Sequence, residues 1–378
     1  MRPAAPIIAG ESLRIVRGGA FILDVPYLEV REGEVLSLIG PNGSGKTSLL
    51  LTLAHLATPF EGVVFFAGRR VGADCPVLEY RRALAMAFQE PLLFDTSVSE
   101  NVASGLRIRG LKRSVISDRV AEYLDLFGIS HLRNRSARSL SGGEAQRTNL
   151  ARAFATKPRA IFLDEPFASL DPGSREPLID DIQRVLEKTK TTTLLVTHDL
   201  MEALRLSDRI AVMGRGRIHQ IDTPDEVMNR PVDETVAAFV SAGTVLAGLV
   251  IEKRRDTFVV AVNSEEIESA GAFGVGESVG LYIRPENVTL SIGLNAVGQK
   301  RVTGARNVFP ATIVRIMPLG FYEKVLLDCG FPLVSYVTHQ SRKALELREG
   351  QRVSASFEAT AIHVIARGRR EPPEPSSC

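Results

Sequence analysis

Short apolar runs alternate with amphipathic stretches from residue 11 to about residue 222. The runs at 35–39, 160–163, 193–196 and 209–212 are four or five residues long, and helical periodicity lies between them, as at 144–156 and 177–188. Strands buried on both faces read as continuous apolar runs, so this alternation predicts an α/β fold with a mostly parallel, doubly covered sheet. Thr223, Pro224, Asp225 and Glu226 announce a last helix, with an N-cap, a first-turn proline and two acids against the helix dipole.

Beyond about Ser241 the texture becomes β-like, with alternation at 245–262 and 279–283. A second stretch, 307–365, repeats the first from equivalent starts at Val245 and Val308, 63 residues apart. Each begins with a strand and ends in Gly-x-x-Val followed by two more strands, which predicts small β-barrels. The expected division is a nucleotide-type α/β region over 1–242, β segments over 243–300 and 301–367, and a disordered Arg/Pro/Glu/Ser-rich tail over 368–378.

Gly40-Pro41-Asn42-Gly43-Ser44-Gly45-Lys46-Thr47 fits the G-x-x-x-x-G-K-[ST] pattern, after the run at 35–39 and before a helix that includes Ser48. Such glycines let successive backbone N–H groups curl around phosphate oxygens, helped by the helix N-terminus. Lys46 is expected to reach the β- and γ-phosphates, and the Thr47 hydroxyl to ligate Mg²⁺.

Asp164 and Glu165 follow the run at 160–163, and His198 follows the one at 193–196. Ligands of parallel sheets bind at the carboxyl ends of strands. Asp164 is therefore expected near the Mg²⁺ on Thr47, with Glu165 facing the γ-phosphate and orienting a water. Taken alone, the two acids read as a solvated turn and His198 as a capping or packing residue. Gln89 and Asp171, on their own merits, read as loop and turn residues.

Leu140-Ser141-Gly142-Gly143-Glu144 opens another helix. A capping box accounts for Ser141 and Glu144 but not for two glycines in a first helical turn. Serine and glycines there make a second anion-binding helix start, which suggests nucleotide shared between two copies of the chain.

Composition narrows the classes. The 46 Lys and Arg nearly balance the 44 Asp and Glu, which argues against a protein built mainly to hold nucleic acid. Three scattered cysteines give neither a disulfide framework nor a zinc site. No apolar stretch approaches the ~18 residues of a membrane span, and the first residues lack a signal-peptide pattern.

In this order, the phosphate loop, Gln89, the 140–144 signature, Asp164-Glu165, Asp171 and His198 closely resemble the ATP-binding cassette family over about 13–242. The resemblance implies a P-loop NTPase cassette, a small antiparallel β-subdomain around 63–66 and a helical subdomain over about 97–157. It implies a head-to-tail homodimer, with ATP between the Lys46 loop and the partner's Ser141, Gly142, Gly143 and Glu144, and Asp171 between the copies. Glu165 then looks like the general base or water-positioning residue, His198 the γ-phosphate contact, and Gln89 a Mg²⁺ ligand and the link to a membrane partner. The family places an aromatic residue for adenine where this chain has Arg17 before Gly18, so either Arg17 or Phe21 would stack on the base.

Tyr282-Ile283-Arg284-Pro285-Glu286-Asn287-Val288 resembles a motif of the TOBE-type, OB-like regulatory β-domains of importer ATPases. The stretches 305–310, 338–341 and 357–365 resemble the oxyanion-binding domain of molybdate and tungstate importer ATPases. By that resemblance Arg306, Asn307, Thr338 and Ser341 are oxyanion candidates. Gly304 and Glu358 stand where the family has serine and lysine, and a glutamate facing a divalent anion is repulsive. The expected protein is the ATPase subunit of an importer, cytoplasmic and peripheral on the inner face of the membrane, with molybdate or tungstate as preferred cargo. Two transmembrane permease subunits and, indirectly, an extracytoplasmic binding protein are its expected partners. Polyamine, sugar, sulfate or ferric-iron import, or a soluble ATPase on nucleic acid, are the alternatives.

Overall fold

The structure is a computed structural model and describes residues 6–18, 20–57, 60–240, 243–292 and 307–367. It divides into two compact units, 1–224 and 225–378. The expected tail at 368–378, with Arg306 and Gly304, lies outside the described residues.

In the first unit β1 (Pro6–Arg17), β2 (Ala20–Arg31), β3 (Val35–Ile39), α1 (Lys46–Leu53), β4 (Glu61–Phe66), β5 (Arg69–Arg70), α2 (Val77–Ala83) and β6 (Leu84–Ala87) come first. Then follow α3 (Val98–Ile108), α4 (Arg113–Leu126), α5 (Gly142–Ala155), β7 (Ala160–Asp164), α6 (Pro172–Thr189), β8 (Thr192–Val196), α7 (Leu200–Leu206), β9 (Arg209–Gly214) and β10 (Arg217–Asp222). The sheet order is β10-β9-β3-β8-β7-β6, and all of its pairs are parallel except β9 with β10.

Every residue of β3, β7 and β8 is buried. Strand periodicity sends alternate side chains to opposite faces. Val35, Ile161, Leu163 and Leu195 enter the core shared with α3 to α6. Leu36, Leu38, Phe162, Leu194 and Val196 enter the other, with α1 and the antiparallel sheet β2-β1-β4-β5. That antiparallel sheet contains the expected strand at 63–66, and the expected helical subdomain is α3 to α5.

The second unit starts with α8 (Pro224–Asn229) and α9 (Glu234–Val240). The first repeat supplies β11 (Thr244–Lys253), β12 (Thr257–Val262), β13 (Glu265–Ala270), β14 (Ser278–Ile283) and β15 (Thr289–Ser291). The second supplies β16 (Asn307–Leu319), β17 (Tyr322–Asp328), β18 (Pro332–Thr338), α10 (His339–Ala344), β19 (Arg352–Phe357) and β20 (Ile362–Ala366). Val245 and Val308 are the second residues of β11 and β16, so the repeat is visible in the strands themselves.

The two segments do not close separately. Sheet orders are β13-β12-β11-β14-β20 and β15-β19-β16-β17-β18, so each repeat hands its last strand to the other's sheet. A single apolar core, from Leu246, Phe258 and Leu281 to Phe309, Leu333 and Phe357, fills both. Neither sheet can shed the other without exposing that core, since apolar area is the main favourable term.

Asn307 ties the sheets together. Only 2% exposed, it accepts from the Glu268 backbone N–H at 2.8 Å and donates to the Glu268 carbonyl at 2.8 Å. β13 is an edge strand, and the amide takes the backbone groups the edge would leave open. Replacing Asn307 by Ala leaves both unpaired, and denaturant unfolding is expected to show a loss of about 2–4 kcal/mol. A loss under about 0.5 kcal/mol would contradict the strut role.

Candidate functional site: a phosphate loop at the strand ends

β3 ends at Ile39, and the chain turns sharply through Gly40. Gly40 has φ 151°, and a Cβ on it would lie 2.2 Å from the Met213 carbonyl oxygen, so the loop start admits only glycine. Gly45, at φ 100°, precedes the first helical residue Lys46. Pro41, Asn42, Gly43 and Thr47 are exposed, Ser48 is half-buried and Ser44 is buried. The Ser44 hydroxyl is buried without a hydrogen-bond partner, a polar atom the fold leaves unanswered beside the loop.

Lys46 is 5% exposed, and its ammonium donates to the carbonyls of Gly40 at 2.9 Å and Pro41 at 3.2 Å. Burial pulls its pKa down, while the Glu165 and Asp164 carboxylates oppose that. The Thr47 hydroxyl donates to Asp164 Oδ1 at 3.1 Å, joining the ends of β3 and β7. Burial, with the neighbouring Glu165 charge, pushes the Asp164 carboxyl above its usual range against the Thr47 hydrogen bond and Lys46. A carboxylate short of full compensation beside a hydroxyl is a hard-oxygen donor pair that suits a small divalent cation.

Glu165 turns off the end of β7 in a left-handed conformation, φ 45°, its backbone N–H donating to Val196 O at 2.9 Å. Strained backbone on a non-glycine residue concentrates at functional sites. Its Oε2 lies 3.1 Å from His198 Nδ1, beyond the end of β8. Thus Lys46, Thr47, Asp164, Glu165 and His198 converge where three parallel strands end. Gln89 stands exposed past β6 and makes no hydrogen bond to Thr47 or Asp164.

Of Arg17 only the backbone is described, at the end of β1. Phe21 on β2 is 60% exposed. The next residue's carbonyl, Ile22 O, lies 3.1 Å from the Cβ position of Gly45, so the β2 backbone passes beside the phosphate loop.

The second glycine motif has a different setting. Ser141 and Glu144 form the capping box, with Glu144 N to Ser141 Oγ at 3.3 Å and Ser141 N to Glu144 Oε2 at 2.8 Å. Space over Gly142 is open, a Cβ on Gly143 would make only ordinary contact with Ser174 at 3.4 Å, and neither has positive φ. Nothing among the described residues of this chain requires glycine there. Asp171 N-caps α6, accepting from Ser174 N at 3.1 Å and Ser174 Oγ at 2.8 Å.

Three residues of α5 that periodicity treats as ordinary prove to anchor the site. Fully buried Gln146 donates to Pro166 O at 2.8 Å, next to Glu165. Asn149 reaches Phe88 O at 3.5 Å, next to Gln89, and Arg152 donates to Leu92 O at 2.7 Å. Polar side chains on a buried helical face were the only sequence signal of this role.

The described oxyanion candidates, Asn307, Thr338 and Ser341, do not converge within one chain. Asn307 spends its amide on Glu268, while Thr338 N-caps α10 through Ser341 N at 3.1 Å and shares a 2.9 Å hydrogen bond with the Ser341 hydroxyl. Thr338 is level with Tyr322, itself paired with Leu319, at the far end of β16 from Asn307. Twelve strand residues separate these levels, roughly 40 Å of contour.

Comparison with known proteins agrees with this geometry. The ABC transporter family profile matches residues 23–168, and the TOBE domain profile matches 303–364. The molybdate/tungstate import ATP-binding protein of Pyrococcus horikoshii is 36% identical over 339 residues, 89% of this chain and 94% of that one. The Fe(3+) ions import ATP-binding protein of Streptomyces avermitilis is 39% identical over 300 residues, 79% of this chain and 84% of that one. Relatives at 32–35% identity are named for import of sulfate/thiosulfate, spermidine/putrescine and trehalose/maltose. The solved structure of cbiO1 from Clostridium perfringens, part of the ABC transporter complex cbiONQ, aligns with TM-score 0.55 and 26% identity over 62% of this chain and 94% of that one. Phosphate loop, strand-end carboxylates, signature helix and TOBE region together make this chain a member of the ABC transporter family, an import ATPase subunit that hydrolyses ATP.

Proposed function

We propose that the chain is the motor of an oxyanion importer, and that its working unit is a homodimer holding two ATP molecules between copies. The observation that carries the catalytic half is the Glu165–His198 pair, 3.1 Å apart beside the Thr47–Asp164 hydrogen bond. Thr47 Oγ1 and Asp164 would hold Mg²⁺, with Gln89 the further candidate ligand. The ion supplies charge neutralisation on the phosphates. Lys46 would leave the loop carbonyls for the β- and γ-phosphates, Glu165 would hold the attacking water and take its proton, and His198 would contact the γ-phosphate. Phe21 is the favoured adenine stacker over Arg17, since its ring is exposed and the backbone of the next residue passes beside the loop.

The dimer is supported by Gly142 and Gly143, glycines without a local reason at a helix start where an external anion would approach closely. The permease interface is supported by the segment around Gln89, 88–94. There Phe88, Leu92 and Phe94 are 40%, 65% and 55% exposed and are braced from behind by Asn149 and Arg152. An unpartnered apolar patch on a braced loop suits a protein partner. No helix among the described residues is long and apolar enough to cross a membrane. We place the chain on the cytoplasmic face of the membrane, with a cassette over 1–242, TOBE-type β regions over 243–300 and 301–367, and a tail over 368–378.

Molybdate or tungstate as cargo is supported by the 36% identical relative, which covers most of both chains. Ferric iron is the second reading, favoured by the 39% identical one. Uptake of each ion by vesicles carrying the permease and this chain decides between them.

Glu165→Gln is expected to bind Mg-ATP as wild type does while turnover falls by ~10²–10⁴-fold, with an ATP-dependent dimer in size-exclusion chromatography. Wild-type turnover in that variant contradicts the assigned role. Calorimetry of the full chain with molybdate is expected to give absent or weak binding, because the Asn307 amide is engaged and Thr338 and Ser341 cap a helix. Tight binding would overturn that expectation.

A further inference from the structure

The first turn of α6 carries a guanidinium that none of the motifs above uses. Arg175 lies four residues after Asp171 and one after Ser174, and its side chain is 28% exposed. Its Nε donates to Glu202 Oε1 at 2.9 Å, and its Nη2 bridges Glu202 Oε1 at 2.5 Å and Asp199 Oδ2 at 2.7 Å. Both acceptors belong to the turn that presents His198.

That turn is held at each side of the histidine. Asp199 follows His198 and N-caps α7, its Oδ1 accepting from Met201 N at 2.7 Å, which leaves Oδ2 to Arg175. Thr197 precedes His198, is 1% exposed, and its hydroxyl accepts from Asp199 N at 3.0 Å and donates to Glu202 Oε2. Glu202 is 3% exposed, so its carboxylate depends on these partners. One guanidinium therefore fixes the residue after His198 directly and the residue before it through Glu202.

The other side of the same helical turn meets the remaining motifs. Ser174 takes the Asp171 side chain, and the Cβ position of Gly143 lies 3.4 Å from Ser174. The start of α6 is thus a junction between the signature helix, Asp171 and the His198 turn.

We propose that Arg175 is a positioning residue for ATP hydrolysis: it holds His198 in register with the Asp171 turn and the signature helix. It touches no reacting atom and acts through His198, so the proposal rests on the reading of His198 as the γ-phosphate contact. A bidentate fork to two carboxylates is a geometry that lysine does not reproduce.

The test is steady-state ATPase kinetics of the full chain as a double-mutant cycle. Arg175→Lys is expected to lower kcat about 10–100-fold, as small misplacements of a catalytic group do. The KM for ATP is expected to change less than about twofold, since the lost interaction is one of the transition state. In a His198→Ala background the same substitution is expected to have no further effect. Equal loss of kcat in both backgrounds, or wild-type kcat in Arg175→Lys, overturns the proposal. The paired variant Arg175→Met with Glu202→Leu removes both charges together and is expected to keep the wild-type melting temperature with the low kcat. Recovery of wild-type kcat in that stable variant also overturns it. If His198→Ala alone turns over at the wild-type rate, the reading of His198 fails, a result distinct from the others.

Discussion

Burial of the parallel strands on both faces is the constraint from which the rest of the first unit follows. β3, β7 and β8 have no exposed residue, and their side chains alternate between two apolar cores. Such strands offer polar chemistry only where they end. The phosphate loop follows β3, Asp164 ends β7 with Glu165 just beyond it, and His198 is the second residue after β8, so their convergence is a consequence of the sheet. β8 lies between β3 and β7, and Thr47, in the first turn of α1, meets Asp164 at the end of β7, 117 residues away, at 3.1 Å.

The helices carry that geometry outward. Gln146 ties α5 to Pro166, Asn149 and Arg152 tie it to Phe88 and Leu92 on either side of Gln89, and Ser174 beside Gly143 brings α6 to its first turn. The residues around Gln89 are in this way joined through α5 to Pro166, next to Glu165. The three ties made by α5 are side chains donating to backbone carbonyls. On the proposed reading, the strand ends and the start of α5 are the two halves of a nucleotide site.

Local patterns were legible in the sequence because each is a local physical requirement. Fully buried strands are apolar runs, Gly40 has no room for a Cβ, and Ser141 and Glu144 are an ordinary capping box. The 63-residue repeat of Val245 and Val308 was equally visible. Its consequence was not, because the exchange of β15 and β20 between sheets is a choice among non-local pairings that share one hydrophobic pattern. For the same reason Asn307 read as a ligand candidate: a polar residue at a strand start gives no sign that an edge strand 39 residues away will claim its amide. Helices α9 and α10, seven and six residues long, were too short for their periodicity to stand out.

The central claim is that the two halves meet across copies of the chain around ATP. Inter-chain disulfide formation tests it most directly, mixing chains that carry Asn42→Cys with chains that carry Ser141→Cys, each with Cys378→Ser. The account predicts a cross-linked heterodimer that forms with Mg-ATP and not without it, while Cys75 and Cys329, both buried, stay unreacted. Cross-linking indifferent to nucleotide, or none in protein that still hydrolyses ATP, would contradict it.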